Sequence, residues 1–401
     1  MGKAVKGLLI GLAVTVVIVL SVLPVLLPPL VENVDRSKAT EFGLSASPKM
    51  TLGYCWRNGP GIAGSLQIRI KDSPWLVTAD FGASCSEWSA SVRMPETAFS
   101  ENDPVIRTLL EKYPVTAVSN LTFSGSIAFS AKAERTFHTP VPVWSVKLPV
   151  KDFSASLMAK DKPYVLTGLS VTPAASGIAD RVDIAPMFLR VKSISAAGFD
   201  LENFHASVRV SEKSVLVTEA SAGFCGGQVN LYSLFLDSRN LNTGFTLFLN
   251  DIHAGEALTH INGFHGEASG RLHGKVKLFL REGGKAVRLS DAFLYSTPGE
   301  TGKLKLTDPT PVTDNLALAG IDEATRNNVA DALTDLDYSV LRLNLKRGEG
   351  QSATLSTSVR GTAMRGKTSV PVDISINFNG ELEQLINTGL SYSNLLKGIK
   401  K

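Results

Sequence analysis

The chain has 401 residues, with 41 Lys or Arg against 37 Asp or Glu, a formal net charge of +4 with histidines neutral. That surplus is small and scattered, and no basic run marks a nucleic-acid surface, so nucleic acid is excluded as a partner class. The length accommodates two or three globular domains, and abundant Gly, Ser and Thr suit a turn-rich β protein.

The N-terminus reads MGKAVK and then runs apolar from Gly7 to Leu30 without a charge. Such a run spans a hydrocarbon core of about 30 Å at about 1.5 Å per residue. Lys3 and Lys6 precede it, and Glu32, Asp35, Arg36 and Lys38 follow it. The purely basic side predicts a cytoplasmic N-terminus, with the bulk of the chain across the membrane. The rival is a cleaved signal peptide, but LPVLLPPLVENV offers bulky residues and prolines where a small-residue cleavage site belongs. Residues 1–31 are therefore expected to be a cytoplasmic tip and uncleaved transmembrane anchor, with 32–50 as a linker.

From Thr51 onward a two-residue beat dominates. Leu66, Ile68 and Ile70 alternate with Gln67, Arg69 and Lys71, and a strand has this period. Asp103-Pro104 predicts a helix start, with the aspartate as cap and the proline in the first turn. That helix must end by Pro114. Strands resume over Leu121–Ala131, Val141–Val150 and Phe153–Met158. Residues 172–190 read as an irregular connection, dividing an N-terminal β-rich part (51–190) from a C-terminal β domain (191–401). In the latter, Phe204, Ala206, Val208 and Val210 alternate with polar residues, followed by Val229, Leu231, Phe245, Leu247 and Leu249. Three helices are expected: Ala254–Ile261, Asp322–Leu336 and Glu381–Gly398. Such amphipathic helices dock on a core, close one end of a sheet, or touch lipid headgroups.

The beat sorts the later strands into an apolar and a polar face. The apolar set is Val276, Leu278 and Leu280; Leu304 and Leu306; Leu341, Leu343 and Leu345; Ala353, Leu355 and Val359; and Val370, Val372, Ile374, Ile376 and Phe378. None is charged. The opposite set includes Lys275, Lys277, Arg281, Lys303, Lys305, Arg342, Lys346 and Arg360, interrupted once by Phe279. An antiparallel sheet with one apolar face must hide it against a second sheet, helices, itself or a bound apolar ligand. A sandwich is the default for one domain. Here the pattern runs along most of the chain without a compact repeat, and a core of that size tends to split. An elongated, curved sheet avoids that limit, and its aliphatic groove would suit acyl chains.

The sequence carries no familiar catalytic signature. There is no G-x-S-x-G elbow, and Gly299-Glu-Thr-Gly302-Lys303 has the wrong spacing for a phosphate loop. His253, His260, His265 and His273 match no metal-ligand spacing, so polar-face histidines are expected and neither metal nor cofactor is assigned. The protein is read as a non-enzyme. Cys55 and Cys85 are either a disulfide across neighbouring strands, worth about 3–4 kcal/mol, or two buried thiols. Cys225 reads as a packed small residue.

From about Gly223 onward the sequence resembles the C-terminal domain of the YdbH family, in the AsmA-like group with TamB and YhdP. The resemblance rests on three parts of the chain. These are GFHGEASGRLHGKVKL (263–278), VRLSDAFLYSTPGETG (287–302), and, together, the helix before Tyr338-Ser-Val-Leu341 with the end from Gly361 through Pro371-Val-Asp-Ile-Ser-Ile-Asn-Phe378. They are glycine-spaced strand patterns. The resemblance implies a mainly β protein: one inner-membrane transmembrane helix followed by a periplasmic, taco-like antiparallel sheet. The apolar groove would carry phospholipid toward the outer membrane of a Gram-negative envelope. The other reading is a non-transport scaffold for envelope assembly or integrity. Typical members are far longer. About 16–20 strands at about 4.8 Å give about 75–95 Å, which points to a periplasmic or outer-membrane protein partner, a homo-oligomer or a different task.

Overall fold

The computed structural model describes residues 46–381 except 56–60, 71–72, 85–86, 108–120, 137, 139–140, 160–161, 197–198, 260–265, 282, 284–285, 319, 349–351 and 366–367. The expected anchor (1–31), linker residues 32–45 and the expected helix from Glu381 onward lie outside this set, apart from Glu381 itself. Among the described residues no helix is long and apolar enough to cross a membrane. The chain is mainly β and divides into two compact units, Met1–Lys192 and Ser193–Lys401.

The first unit contains β1 (Ala46–Cys55), β2 (Gly61–Ile70), β3 (Leu76–Ser84), β4 (Trp88–Ser100), β5 (Thr122–Arg135), β6 (Val143–Lys147), β7 (Val150–Ala159), β8 (Lys162–Val171), β9 (Ala174–Ile178) and β10 (Arg181–Ile184). The boundary falls inside β11 (Met187–Ala196). β1 to β5 form an antiparallel meander. β5 then pairs with β7 along its first half and with β6 along its second. β7 continues to β8, and β6 to β9 and β10.

Two prolines explain the split. Pro149 separates β6 from β7 and Pro173 separates β8 from β9, because proline has no N–H for the ladder. Their carbonyls still accept, from Ala128 N and Leu148 N respectively, both at 2.9 Å. The expected single strand Val141–Val150 is thus broken. The expected irregular stretch 172–190 instead holds β9, β10 and the start of β11. β9 is AASGI, with none of the β-branched density that marks a strand from sequence, and its ladder to β6 fixes it from outside.

Asp103 caps a helical turn as expected: its Oδ1 accepts from Val105 N at 2.9 Å. Its Oδ2 accepts from Trp75 Nε1 at 3.0 Å and Ser73 Oγ at 3.1 Å, so this buried carboxylate is fully engaged.

The second unit contains β12 (Phe199–Val210), β13 (Ser214–Phe224), β14 (Gly227–Leu231), β15 (Leu234–Asp237), β16 (Gly244–His253), α1 (Ala254–Thr259), β17 (Gly266–Ala268), β18 (Arg271–Arg281), β19 (Ala286–Ser296), β20 (Gly302–Leu306), α2 (Thr310–Leu318), α3 (Glu323–Thr334), β21 (Leu336–Arg347), β22 (Ser352–Arg365) and β23 (Thr368–Glu381). β12 pairs with β13, and β13 with both β14 and β15. The sheet then runs β14–β16–β18–β19–β21–β22–β23. β17 pairs with β20, which lies alongside β19 on β21. The described residues hold 23 strands, more than the 16–20 expected.

α3 starts at Asp322, which accepts from Thr325 N at 2.9 Å and Thr325 Oγ1 at 2.7 Å. These bonds hold its carboxyl below the usual range. The expected helix Asp322–Leu336 is shorter than predicted: Leu336 is the first residue of β21. α2 was not expected. Its signal is Asp308, whose Oδ1 accepts from Thr310 N at 3.0 Å at the helix start.

Candidate functional site

The strand registers assemble one apolar face in each unit. In the second unit, cross-strand partners form a row: Ala206, Ala220, Leu231, Leu247, Val276, Ala292, Leu345, Leu355 and Phe378. It crosses nine strands, or about 38 Å at about 4.8 Å per step, without a charge. The next row runs Ala222, Val229, Leu249, Gly274, Leu294, Leu343, Thr357 and Ile376, where Thr357 is the one polar side chain. The first unit has the same construction. Met50, Leu66, Ala79, Val92, Ala131, Val146, Ala175 and Ile184 are successive partners.

Alternation alone does not build these rows, because several strands lose phase. β13 has apolar Val215 and Val217, then Ala220 and Ala222; β16 has Leu247 and Leu249, then Ile252; β19 has Leu289, then Ala292 and Leu294; β21 has Leu336 and Tyr338, then Leu341, Leu343 and Leu345. At each slip the register shows a bulge. One extra residue is unpaired at Thr218, between Leu249 and Ile252, at Ser290 and at Ser339. The extra residue swings the following side chains back to the apolar face. Asp251 takes a positive φ of 56° in its bulge.

The predicted lining residues fall as follows. Val276, Leu278 and Leu280 stand on β18, Leu304 and Leu306 on β20, Leu341, Leu343 and Leu345 on β21, and Leu355 and Val359 on β22. On β23, Val370, Val372 and Ile374 face Ala363, Gly361 and Val359, while Ile376 and Phe378 are the register partners of Thr357 and Leu355. Sequence reasoning missed Leu289, Ala292 and Leu294 on β19, since the Ser290 bulge hides their alternation. The phase slip Leu-Ser-Asp-Ala (289–292) was the available signal.

One part of this face is sealed. α3 sets Val329, Ala332 and Leu333 against Leu336, Tyr338, Val359 and Ala363, with Leu304, Leu306, Leu341 and Val372 around them. Leu336 and Tyr338 are the only large side chains fully buried among the described residues. Leu345 and Ala353 form a second small cluster with Leu289, Ala292 and Leu355. Elsewhere on the face Leu247, Val276, Leu278, Leu294 and Leu343 are only half-buried. Beside α3 lies a cavity of about 340 Å³, lined by Val329, Ala332, Ala363, Val370, Val372 and Ile374 with polar residues at its rim.

Other candidates resolve into structural roles. Phe279, the break in the polar face, lies opposite Gly244, where a Cβ would come within 2.7 Å of its ring. Lys277 and Arg281 flank it with cations 5.4 and 5.3 Å from the centroid. His253 Nδ1 meets Glu256 Oε1 at 2.9 Å, and His273 Nε2 meets Thr297 Oγ1 at 2.9 Å; His260 and His265 lie outside the described residues. No group of three or more potential metal ligands occurs among the described residues. Cys225 is a buried free thiol, pushed up to about 11 by burial, as suits a packed residue. It sits in the β13–β14 turn with φ 45°, next to Gly226 at 67°. The Cys55–Cys85 pair lies outside the described side chains; β2 stands between β1, which ends at Cys55, and β3.

No curated protein and no solved structure gives a significant match to this chain. A protein-family profile does, over residues 152–401, which takes in β8 to β23 and all but the first two residues of β7. With most of its length matched, the chain belongs to the YdbH-like family, described as intermembrane phospholipid transport protein YdbH.

Proposed function

We propose that this chain moves phospholipid between membranes, holding acyl chains against the aliphatic face of its sheets. The observation that carries this is the nine-strand row free of charge, in which Leu231, Leu247, Val276, Ala292 and Leu355 are only half-buried. Family membership supports the same class of cargo. Each half-buried Leu or Val that a lipid tail covers gains on the order of 1 kcal/mol, at about 25 cal/mol per Å². Headgroups stay in water, because no buried charge on the face could replace their hydration. Transfer on this reading is partition along a surface, with no bond made or broken. The apolar run Gly7–Leu30 anchors the chain in the inner membrane, its N-terminus cytoplasmic and its sheets periplasmic. A periplasmic or outer-membrane protein, or further copies of the chain, completes the route.

The test is photo-crosslinking. A photoreactive residue at Leu278, Leu343 or Leu355, introduced one at a time in cells, yields lipid adducts at all three positions. Protein-only adducts at all three overturn the proposal. Leu343→Asp puts a carboxylate in the path and lowers lipid transfer by at least about tenfold. Circular dichroism of the purified variant separates that effect from misfolding.

A further inference from the structure

The opposite, polar face of the second unit carries a feature that acyl-chain carriage does not use. Across β14, β16, β18, β19 and β21, the row of cross-strand partners is Asn230, Phe248, Lys275, Phe293 and Asn344. Beside it run Thr246, Lys277 and Asp291. All of these but Asn230, with Ala292, Leu345, Lys346 and Arg347, line a depression of about 790 Å³, within the range of about 300–1,000 Å³ typical of small-ligand sites. Three lysines thus share one depression with one carboxylate. That carboxylate is already engaged: Asp291 Oδ2 accepts from Ser290 Oγ at 3.2 Å and its Oδ1 from Arg347 N at 3.3 Å. Among the described residues Lys275, Lys277 and Lys346 have no carboxylate partner.

Lysines often guard sheet edges against pairing with other chains. For Lys275 and Lys277 that explanation does not apply, because β18 is paired with both β16 and β19 at these positions. Two aromatic rings accompany the lysines on this face. Phe248 and Phe293 are half-exposed, and they flank Lys275 from both sides. Phe293 is 5.5 Å from the Tyr295 ring and Phe248 is 5.2 Å from that of Tyr232.

We propose that this depression binds an organic phosphate, with Lys275, Lys277 and Lys346 taking the phosphate oxygens and the Phe248 and Phe293 rings taking the carbon skeleton. Ammonium point charges lining one depression suit a phosphate oxyanion, singly charged in a diester and doubly charged in a monoester, and the rings supply apolar contact that a bare ion would not use. A lipid headgroup and a soluble phosphate ester share this chemistry. Its lysines and phenylalanines occupy the register rows that alternate with the aliphatic ones, so their role stands or falls independently of lipid carriage.

The full chain in amphipol is titrated calorimetrically with dihexanoylphosphatidylglycerol below its micelle concentration, glycerol 3-phosphate and inorganic phosphate. At least one organic phosphate is expected to bind more tightly than inorganic phosphate. Lys275→Glu with Lys277→Glu weakens it at least tenfold, Phe293→Ala weakens it several-fold, and raised salt weakens it in the parent. Tighter binding of the phosphatidylglycerol than of glycerol 3-phosphate assigns a lipid headgroup; equal binding assigns a soluble ester. Equal affinity for all three probes, no binding of either organic probe, or a Kd unmoved by charge reversal in a variant with parental circular dichroism overturns the proposal.

Discussion

The Tyr338 ring packs against the backbone of Gly302, its register partner, and its hydroxyl donates to Ser269 O at 2.6 Å. The same pairing of an aromatic with a glycine directly opposite recurs for Phe81 and Gly64, Trp144 and Gly177, and Phe279 and Gly244. In each, the ring covers backbone that the glycine leaves bare. Gly302→Ala would drive a methyl into the Tyr338 ring, and an overpacked core loses about 1–3 kcal/mol. Gly53→Ala meets nothing within 4 Å and should be neutral or stabilising by up to about 1 kcal/mol. Urea unfolding of the two variants side by side checks the contrast. Tyr338→Phe keeps the ring and loses the hydrogen bond, at a cost of about 1 kcal/mol. Burial pushes the Tyr338 hydroxyl above its ordinary value, so the folded state keeps the proton longer than the unfolded chain. Its contribution is intact below about pH 10 and falls as pH rises beyond that. The phenylalanine variant lacks that part of the alkaline loss, which a pH series of unfolding midpoints measures.

At the scale of the element, bulges decide which side of the sheet a leucine occupies. Ser339 is the extra residue of β21. Its deletion would turn Leu341, Leu343 and Leu345 to the polar side or strip Leu336 and Tyr338 from beneath α3. Exposing such side chains costs about 1.5–3 kcal/mol each, a sum comparable with a whole domain's stability of about 5–15 kcal/mol. The deletion variant is expected to be degraded by protease under conditions where Ser339→Ala, which keeps the residue count, survives. The bulges also mark how far the sequence could be read. β18 and β23 alternate cleanly over the residues singled out, and their apolar sets were legible. β19 changes phase at Ser290, so Ala292 and Leu294 escaped a period-two reading. β9 and β10 are held by partners distant in sequence rather than by their own composition. Leu336 keeps the helical spacing of Val329, Ala332 and Leu333, yet it belongs to the strand. Its side chain joins the same cluster from the other side, so the apolar pattern was right and the backbone assignment was not.

At the scale of the molecule, both compact units carry a charge-free row, although the family match begins only at residue 152. Six of the eight residues of the row through Leu66, Val92 and Val146 lie in sequence outside that match. If both units serve the cargo, a photoreactive residue at Val92 gives lipid adducts as Leu343 does, and Val92→Asp lowers transfer comparably. Adducts at Leu343 with none at Val92 would confine the path to the second unit. The rows also carry a consequence for how such a chain can change. A strand paired on a two-residue period has a reading frame, as a codon has one of three. Losing Ser339 is a frameshift within β21, and one residue gained nearby is its suppressor. Selection for growth of a Ser339-deleted strain should therefore return single-residue insertions close to the lesion more readily than substitutions elsewhere.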